Sequence, residues 1–265
     1  MLESAVTPAQ PRPAASIVIV RDAQDGIETF MLVRNRGRNI AFSGAMVFPG
    51  GKVDADDSHE AWQDLAPPAA ETPDHPFWIA AVRETFEEAG LLLARTGPEN
   101  FVTPEHTQRL LARERRGRAG GSPATFLDLV EQDHLTLALD QMVHFGHWIT
   151  PRWLPKRFDT HFFLVSAPQG QHGLVDSTES SDGFWIAPAE ALRQAEAGER
   201  TLVDVTRFTL ELLDTWPDVA HAMRAARGRK VITISPTHEE TGDGVWVRIP
   251  EHAEYASSSY FIPRK

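Results

Sequence analysis

The segment Phe77–Ala89 carries apolar residues at every third or fourth position, the spacing of a helix that packs one face against a core. Asp74 is positioned as an N-cap, and Pro76 suits the first turn of such a helix. Gly90 suits the position just past its end. The sequence therefore predicts a helix over residues 77–89. The side chains that would share its inner face are Trp78, Val82, Phe86 and Ala89.

The opposite face of this helix carries Glu84, Glu87 and Glu88, at positions i, i+3 and i+4. Like charges at this spacing repel one another and destabilise a helix. Carboxylate oxygens are the ligands that Mg²⁺ and Mn²⁺ prefer, and a bound cation would remove the repulsion. Arg83 is adjacent and could orient one carboxylate by charge-assisted hydrogen bonds. Taken alone, the three glutamates favour an ordinary solvated helix face.

Short strands and separated helices surround this segment. The β-branched run at residues 15–21 predicts a buried strand, and Asp25-Gly26 predicts a turn into a second strand over residues 29–33. Further strands are predicted at residues 142–149, 160–166, 184–186 and 245–249. Further helices are predicted at residues 104–132 (with a break at Gly120-Gly121), 188–197, 203–213 and 218–226. This mixture predicts an α+β fold or a mixed α/β sandwich.

The domain organisation predicted from the sequence is a single domain over residues 15–255. Residues 1–14 contain three prolines and no long apolar run, which is typical of a flexible arm. Inserts are expected at about residues 58–76 and 96–140, where polar or helical segments interrupt the strands. Residues 256–265 are expected to form a tail.

The charge and composition of the chain limit the kinds of molecule that it is expected to bind. The net charge of −11 argues against nucleic acid, because gripping phosphates along a strand needs clustered Lys and Arg. A small phosphorylated ligand remains compatible if metal ions mask the charge. Cysteine is absent, which excludes disulfides and fits a cytoplasmic protein, and no apolar run is long enough to span a membrane. The sequence leaves monomer and homodimer open.

A combined motif links the helix to the glycine-rich turn before it. The chain reads Phe48-Pro49-Gly50-Gly51, then Asp57, then Arg83-Glu84-Thr85-Phe86-Glu87-Glu88-Ala89-Gly90-Leu91. This pattern resembles the signature of the Nudix hydrolase family. Asp57 stands where that family usually has Glu, and Thr85 where an aliphatic residue is usual. Between Asp57 and Arg83 lie 25 residues, where the family usually has about seven.

The enlarged loop resembles one subgroup of that family, the acyl-coenzyme A diphosphatases. Residues 148–151, 156–160 and 162–164 look like its central strands, and Glu179, Trp185 and Pro188 look like its next block. Gly44 fits the coenzyme A signature, but Ile40 stands where that signature has Arg. The resemblance implies a Nudix-type α/β/α sandwich that hydrolyses a diphosphate in coenzyme A or acyl-coenzyme A. ADP-ribose, NADH or another dinucleotide is the alternative substrate, and a non-catalytic ligand-binding module is the alternative class.

The resemblance also implies roles for particular residues, with Mg²⁺ or Mn²⁺ as cofactor. Glu87 and Glu88 would be metal ligands, with the carbonyl of Gly51 as a third, and Glu84 would be a further ligand or the general base. Catalytic roles would fall to Glu84, Glu88 and Arg83, with Glu179 as the other candidate base.

Two other groups of residues are candidates for binding. Substrate phosphates could be bound by Arg36, Arg38, Lys156 and Arg157, although a solvated surface suits them as well. His144 and His147 are three residues apart on a predicted strand. That spacing points them to opposite faces and argues against a shared metal.

Overall fold

The computed structural model describes residues 9–35, 43–67, 74–121, 124–173 and 180–264. The strands in these ranges are β1 (Arg12–Ala23), β2 (Gly26–Arg34), β3 (Ala45–Val47), β4 (Gly50–Lys52), β5 (Ala94–Gly97), β6 (Asn100–Phe101), β7 (Thr136–Leu137), β8 (Met142–Ile149), β9 (Phe158–Ser166), β10 (Ser180–Ile186), β11 (Thr201–Leu202), β12 (Thr233–Ile234), β13 (Thr237–Glu240), β14 (Gly244–Arg248) and β15 (Ser259–Pro263). The helices are α1 (Trp62–Leu65), α2 (His75–Ala89), α3 (Pro104–Ala119), α4 (Phe126–Gln132), α5 (Pro188–Glu196), α6 (Asp204–Leu213) and α7 (Val219–Gly228). Among the described helices, none combines the length and the apolar character needed to cross a membrane.

The central strand of the main sheet is β1. It runs parallel to β9 along one edge, with residues 12–20 paired to 158–166. Its other edge is shared, because β4 pairs with residues 14–16 and β2 with residues 20–23, both antiparallel. Strand β3 in turn pairs with the far half of β2. The segment 45–52 therefore lies where β1 and β2 diverge, and it carries the glycine-rich turn into the sheet.

Each face of the main sheet packs against helices. Ile17, Ile19 and Phe163 face α2, whereas Val18, Val20 and Phe162 face α6 and α7 on the opposite side. These neighbours alternate along the strands because successive side chains point to opposite faces. The result is an α/β/α sandwich with a mixed sheet, which confirms the predicted fold class.

Helix α2 forms where the sequence predicts it, and Gly90 ends it in the left-handed conformation at φ 62°. The start of the helix differs from the prediction, because the side chain of Asp74 makes no capping hydrogen bond and its backbone has the left-handed conformation. The helix is also buried on nearly every side, including Thr85, whose hydroxyl donates to the carbonyl of Ala81 at 2.7 Å. A polar residue is tolerated at position 85 because this bond satisfies it.

The predicted inserts account for that burial. Helices α3 and α4 form over the expected segment, separated at Gly120-Gly121, and the long loop contributes α1. Trp62 of α1 stacks on Phe126 of α4 with ring centroids 5.8 Å apart, and Phe126 contacts Phe86 of α2 at 5.7 Å. The inserts therefore extend the core around the C-terminal half of α2, where Phe126 packs on Phe86.

Two segments near the termini are more ordered than the sequence suggests. Residues 12–14, expected in a flexible arm, belong to β1 because the parallel ladder with β9 extends to Arg12. Residues 259–263, expected in a tail, form β15, which pairs with β14. The hydroxyl of Tyr260 in β15 donates to Asp204 Oδ1 at 2.6 Å. These terminal strands are held by backbone hydrogen bonds that sequence periodicity did not reveal.

The predicted orientation of His144 and His147 is wrong. A bulge at Phe145 shifts the register of β8, so His144 lies opposite Phe163 and His147 opposite His161. An extra residue in one strand reverses the alternation beyond it, which brings both histidines to one face. Burial lowers the pKa of His144 to about 4 and also lowers the pKa of His161. Electrostatic repulsion from neighbouring histidines lowers both values further.

Candidate active site

A buried ion pair fixes the position of Arg83 on α2. Its Nε and Nη2 atoms donate to the two carboxylate oxygens of Asp57, each at 2.9 Å. Asp57 is 1% exposed, and its Oδ2 also accepts from the backbone amide of Asp54 at 2.8 Å. Burial tends to lower the pKa of Arg83, but the hydrogen bonds to Asp57 and the nearby carboxylates raise it instead, so the guanidinium stays charged.

The remaining donors of Arg83 organise the glutamates. Its Nη1 donates to Glu84 Oε1 at 2.9 Å and lies 3.3 Å from Glu87 Oε2. Its Nη2 also donates to the carbonyl of Lys52 at 2.8 Å, which ties α2 to the end of β4. One guanidinium thus connects the loop, the sheet and two carboxylates, because its planar fork presents several donors in fixed directions.

Glu88 lies deeper, against the glycine-rich turn. Its Oε2 accepts from the backbone amide of Gly50 at 2.9 Å, and Arg34 Nη1 lies 3.1 Å from its Oε1. Gly50 has φ +153°, and a Cβ there would lie 2.4 Å from the carbonyl oxygen of Ala15. A side chain at Gly50 would therefore disrupt the turn that contacts Glu88.

Gly51 brings backbone against a carboxylate. A Cβ at this position would lie 2.3 Å from Glu84 Oε1, so the glutamate occupies the space that any other side chain would need. The backbone of Gly51 thus lies against the carboxylate oxygens of Glu84. Oxygen atoms of this kind are the donors that Mg²⁺ and Mn²⁺ prefer, so these residues fit such a cation.

A cavity of about 750 Å³ opens beside the glutamates. This volume is typical of small-molecule sites. Arg83, Glu84 and Glu87 line it together with residues of the β8–β9 hairpin and the start of α6. The wall mixes apolar and polar side chains, among them Trp148, Leu154, Lys156, Phe158, Thr160, Phe162 and Thr206. The site can thus accept a ligand with a charged part near the glutamates and a longer, partly apolar part.

Comparison of the sequence with known protein families supports the importance of the glutamate helix and the cavity. The family profile described as the NUDT19 Nudix domain matches residues 70–204, just over half of the chain. The chain belongs to this Nudix family. The match includes α2 with its glutamates and the β8–β9 wall of the cavity. The resemblance drawn from the motif is therefore confirmed.

Individual relatives are similar over different lengths. The chain is 30% identical over 192 residues to a Caenorhabditis elegans protein assigned as nudix hydrolase 7, and covers 56% of its length. It is 26% identical over 305 residues to the human acyl-coenzyme A diphosphatase NUDT19, covering 98% of this chain and 78% of that protein. Among solved structures, a Nudix hydrolase from Alicyclobacillus acidocaldarius has a TM-score of 0.65 and 25% identity, over 82% of this chain and 96% of that one.

The predicted substrate-binding residues of this Nudix protein fall into three groups. Lys156 lines the cavity, as the prediction requires. Arg157 does not fit the prediction, because it is 9% exposed and donates to the backbone carbonyls of Thr150 and Ala9 at 2.9 and 2.7 Å. It pins the hairpin to the start of the chain. Arg36, Arg38 and the candidate base Glu179 lie outside the described residues.

Near the glutamates, sequence reasoning considered Arg34 only as a possible phosphate-binding residue and missed two residues of the α3 insert. Arg34, one of a set of alternating arginines, contacts Glu88 and also donates to the carbonyl of Gly50 at 2.8 Å. The α3 insert contributes Glu114, which is 5% exposed and paired with Arg118. Arg118 Nη2 lies 3.8 Å from Glu87 Oε2. No local motif marks Glu114 and Arg118, since only the tertiary packing of the insert brings them to α2.

The environment of Glu87 favours its protonated form. Burial raises its pKa from 4.5 to about 7; Arg83 opposes this shift, and the charge of Glu84 adds to it. Arg118 and Glu114 exert smaller effects in opposite directions. The carboxylate cluster is thus under electrostatic repulsion that a divalent cation would relieve.

We predict that Asp57→Ala lowers the free energy of unfolding by about 3–5 kcal/mol, because it leaves a buried guanidinium without its main partner. Asp54→Ala is the matched control, since Asp54 is 67% exposed and 3.8 Å from the same guanidinium. Its loss should cost under about 1 kcal/mol. Urea unfolding monitored by tryptophan fluorescence measures both values. Equal losses for the two variants would contradict the assigned role of Asp57.

A second prediction concerns pH. Between pH 4.5 and about 7 the folded protein keeps a proton on Glu87 that the unfolded chain releases. The folded state therefore loses stability relative to the unfolded state as pH rises through this window. Glu87→Gln cannot ionise. In EDTA, its Tm relative to wild type should therefore rise with pH up to about 7 and then level off.

Saturating Mg²⁺ provides the control for this measurement. A cation held by Glu87 would bind its ionised form, so we expect wild type to gain Tm with pH while Glu87→Gln gains little. A Tm difference in EDTA that stays constant across the pH range would show that burial does not hold the proton on Glu87.

Proposed function

We propose that this protein is a Nudix diphosphatase that requires Mg²⁺ or Mn²⁺ and hydrolyses the diphosphate bond of a nucleotide-type substrate. The observation that carries the proposal is the position of Arg83, which holds the carboxylates of Glu84 and Glu87 at the edge of the cavity. Glu88 lies against the adjoining turn. A non-catalytic module would have no need for three glutamates held in this arrangement.

The residues that would hold the cation are Glu84, Glu87 and Glu88 with the carbonyl of Gly51. The close packing of Glu84 against Gly51 supports this set, because it brings a carboxylate against the backbone of Gly51. When bound, the divalent cation neutralises the diphosphate and lowers the pKa of a bound water. Arg83 orients Glu84, so that this residue can serve as a ligand or as the base that accepts a proton from the attacking water.

The reaction breaks one phosphoanhydride bond. The oxygen of water forms a bond to one phosphorus, the bridging oxygen leaves with the other phosphate, and one water proton passes to a base. Two phosphomonoesters result. The mixed lining of the cavity can bind the parts of the substrate that do not react, because aromatic and aliphatic groups bury apolar surface while Lys156 offers a charge for phosphate.

Coenzyme A or an acyl-coenzyme A is the substrate that we favour. The human and chicken relatives are named as acyl-coenzyme A diphosphatases. The cavity extends from the glutamates to Leu154 and Phe158, which gives a long apolar chain a surface to contact. Lys156 on the same hairpin could pair with a 3′-phosphate.

The metal requirement is tested first. Activity should be lost in excess EDTA and restored by Mg²⁺ or Mn²⁺, because the carboxylates need a cation to act on an anionic substrate. Glu87→Gln and Glu88→Gln should each reduce kcat/KM by at least about a hundredfold while the protein stays folded. Glu131→Gln, on the exposed surface of α4, is the control and should behave like wild type. Turnover of the two glutamine variants at the wild-type rate would rule out these ligands.

The substrate is tested by comparing kcat/KM for coenzyme A and its 3′-dephospho form, with products identified by mass spectrometry. We expect 3′,5′-ADP and 4′-phosphopantetheine, and a preference for coenzyme A that Lys156→Ala reduces by about tenfold. Arg152→Ala, on the same hairpin but outside the cavity lining, should leave the preference intact. Much faster cleavage of ADP-ribose or NADH would overturn the coenzyme A proposal while leaving the diphosphatase proposal in place.

A further inference from the structure

A second cluster of potential ligands lies on the face of β8 and β9 that points away from the cavity. His147, Asp159 and His161 each offer one ligand atom, and these three atoms all lie within 4.8 Å of one another. The side chains at positions 158, 160 and 162 of β9 line the cavity, so those at 159 and 161 point to the other face. The cluster thus lies on the α2 side of the sheet, where the ring of His161 contacts Phe77 in the first turn of α2. The glutamates lie about two turns further along the same helix.

The hydrogen bonds of His147 orient it as a ligand. Its Nε2 lies 2.5 Å from Asp159 Oδ1, and its Nδ1 lies 2.8 Å from the hydroxyl oxygen of Thr233 in β12. If Nδ1 donates to Thr233, Nε2 is the nitrogen that can bind a metal. A cation bound by Nε2 and Oδ1 would replace the hydrogen bond between them.

The other rings hold His161 in place. Its ring centroid lies 4.3 Å from that of His147, 4.8 Å from that of His144 and 4.2 Å from that of Phe77. His144 Nε2 is buried and has no hydrogen-bond partner among the described residues. A second imidazole nitrogen without a proton partner therefore stands beside the cluster, on strands that are fixed by the main sheet.

We propose that His147, Asp159 and His161 bind a divalent transition-metal cation, with Zn²⁺ as the best match. Two imidazoles and one carboxylate suit Zn²⁺, whereas Mg²⁺ prefers oxygen donors alone. Three protein ligands leave a fourth position for water or for an added ligand. Binding requires the Nε2–Oδ1 distance to widen to roughly 3.3 Å, the separation of two ligands about a tetrahedral ion. Asp159 is 35% exposed and can move by this amount.

The experiment is calorimetric titration of the chelator-treated protein with ZnCl₂ in millimolar Mg²⁺, which occupies the glutamate site. We expect one equivalent of Zn²⁺ to bind, and Asp159→Asn and His161→Gln each to weaken binding by at least about tenfold. Glu88→Gln should keep this binding. Co²⁺ in place of Zn²⁺ should give the visible absorption of a four- or five-coordinate ion, absent from the Asp159→Asn protein.

His106→Gln is the matched control. His106 Nε2 pairs with Asp133 Oδ2 at 2.7 Å, as His147 pairs with Asp159, but Arg113 rather than a second histidine completes that pair. This variant should bind Zn²⁺ like wild type. Circular dichroism of each metal-free variant establishes that it is folded. Equal Zn²⁺ affinity in wild type and Asp159→Asn, or loss of binding in Glu88→Gln, would overturn the proposal.

Discussion

The guanidinium of Arg83 is the interaction on which the rest of the site depends. A buried cation needs a matched anion, and Asp57 supplies it from a loop that the sheet and α1 hold in place. Once that pair is formed, the unused donors of Arg83 can point only toward Lys52, Glu84 and Glu87. The positions of Glu84 and Glu87 therefore follow from an ion pair whose anion, Asp57, is buried outside the cavity lining.

This arrangement keeps negative charges close together before any cation arrives. Burial raises the cost of ionising Glu87, and the charges of Glu84 and Glu114 add to it. The insert helices contribute to that burial, so the enlarged loop and the α3–α4 segment affect the electrostatics of the site as well as its shape. A divalent cation would then bind to a site already organised for it, with little rearrangement of the backbone.

The sequence predicted the features that depend on local pattern. The helix with its terminal glycine, the glutamate stripe, the glycine-rich turn and most strands follow from spacing and turn chemistry over a few residues. The pairing of Arg83 with Asp57 could not be predicted in this way, because 25 residues separate the two. Asp57 also has a shorter side chain than the Glu that is usual at its position in the family. Arg157 looked like a surface cation, yet backbone carbonyls from two segments surround it. The orientation of His144 was lost at a single bulged residue, since strict alternation assumes a regular strand.

The alternation along β9 has a consequence for how this family can change. Side chains of one parity line the substrate cavity, and those of the other parity carry the imidazole and carboxylate cluster. Inserting or deleting one residue in this strand would exchange the two sets, placing Asp159 and His161 in the cavity and Phe158 and Thr160 behind it. Length variation should therefore be tolerated in the connecting hairpin, where Trp153 is exposed, but not within the strand. The cavity lining and the histidine–aspartate cluster can therefore change during evolution by residue substitution, but not by insertion or deletion within β9.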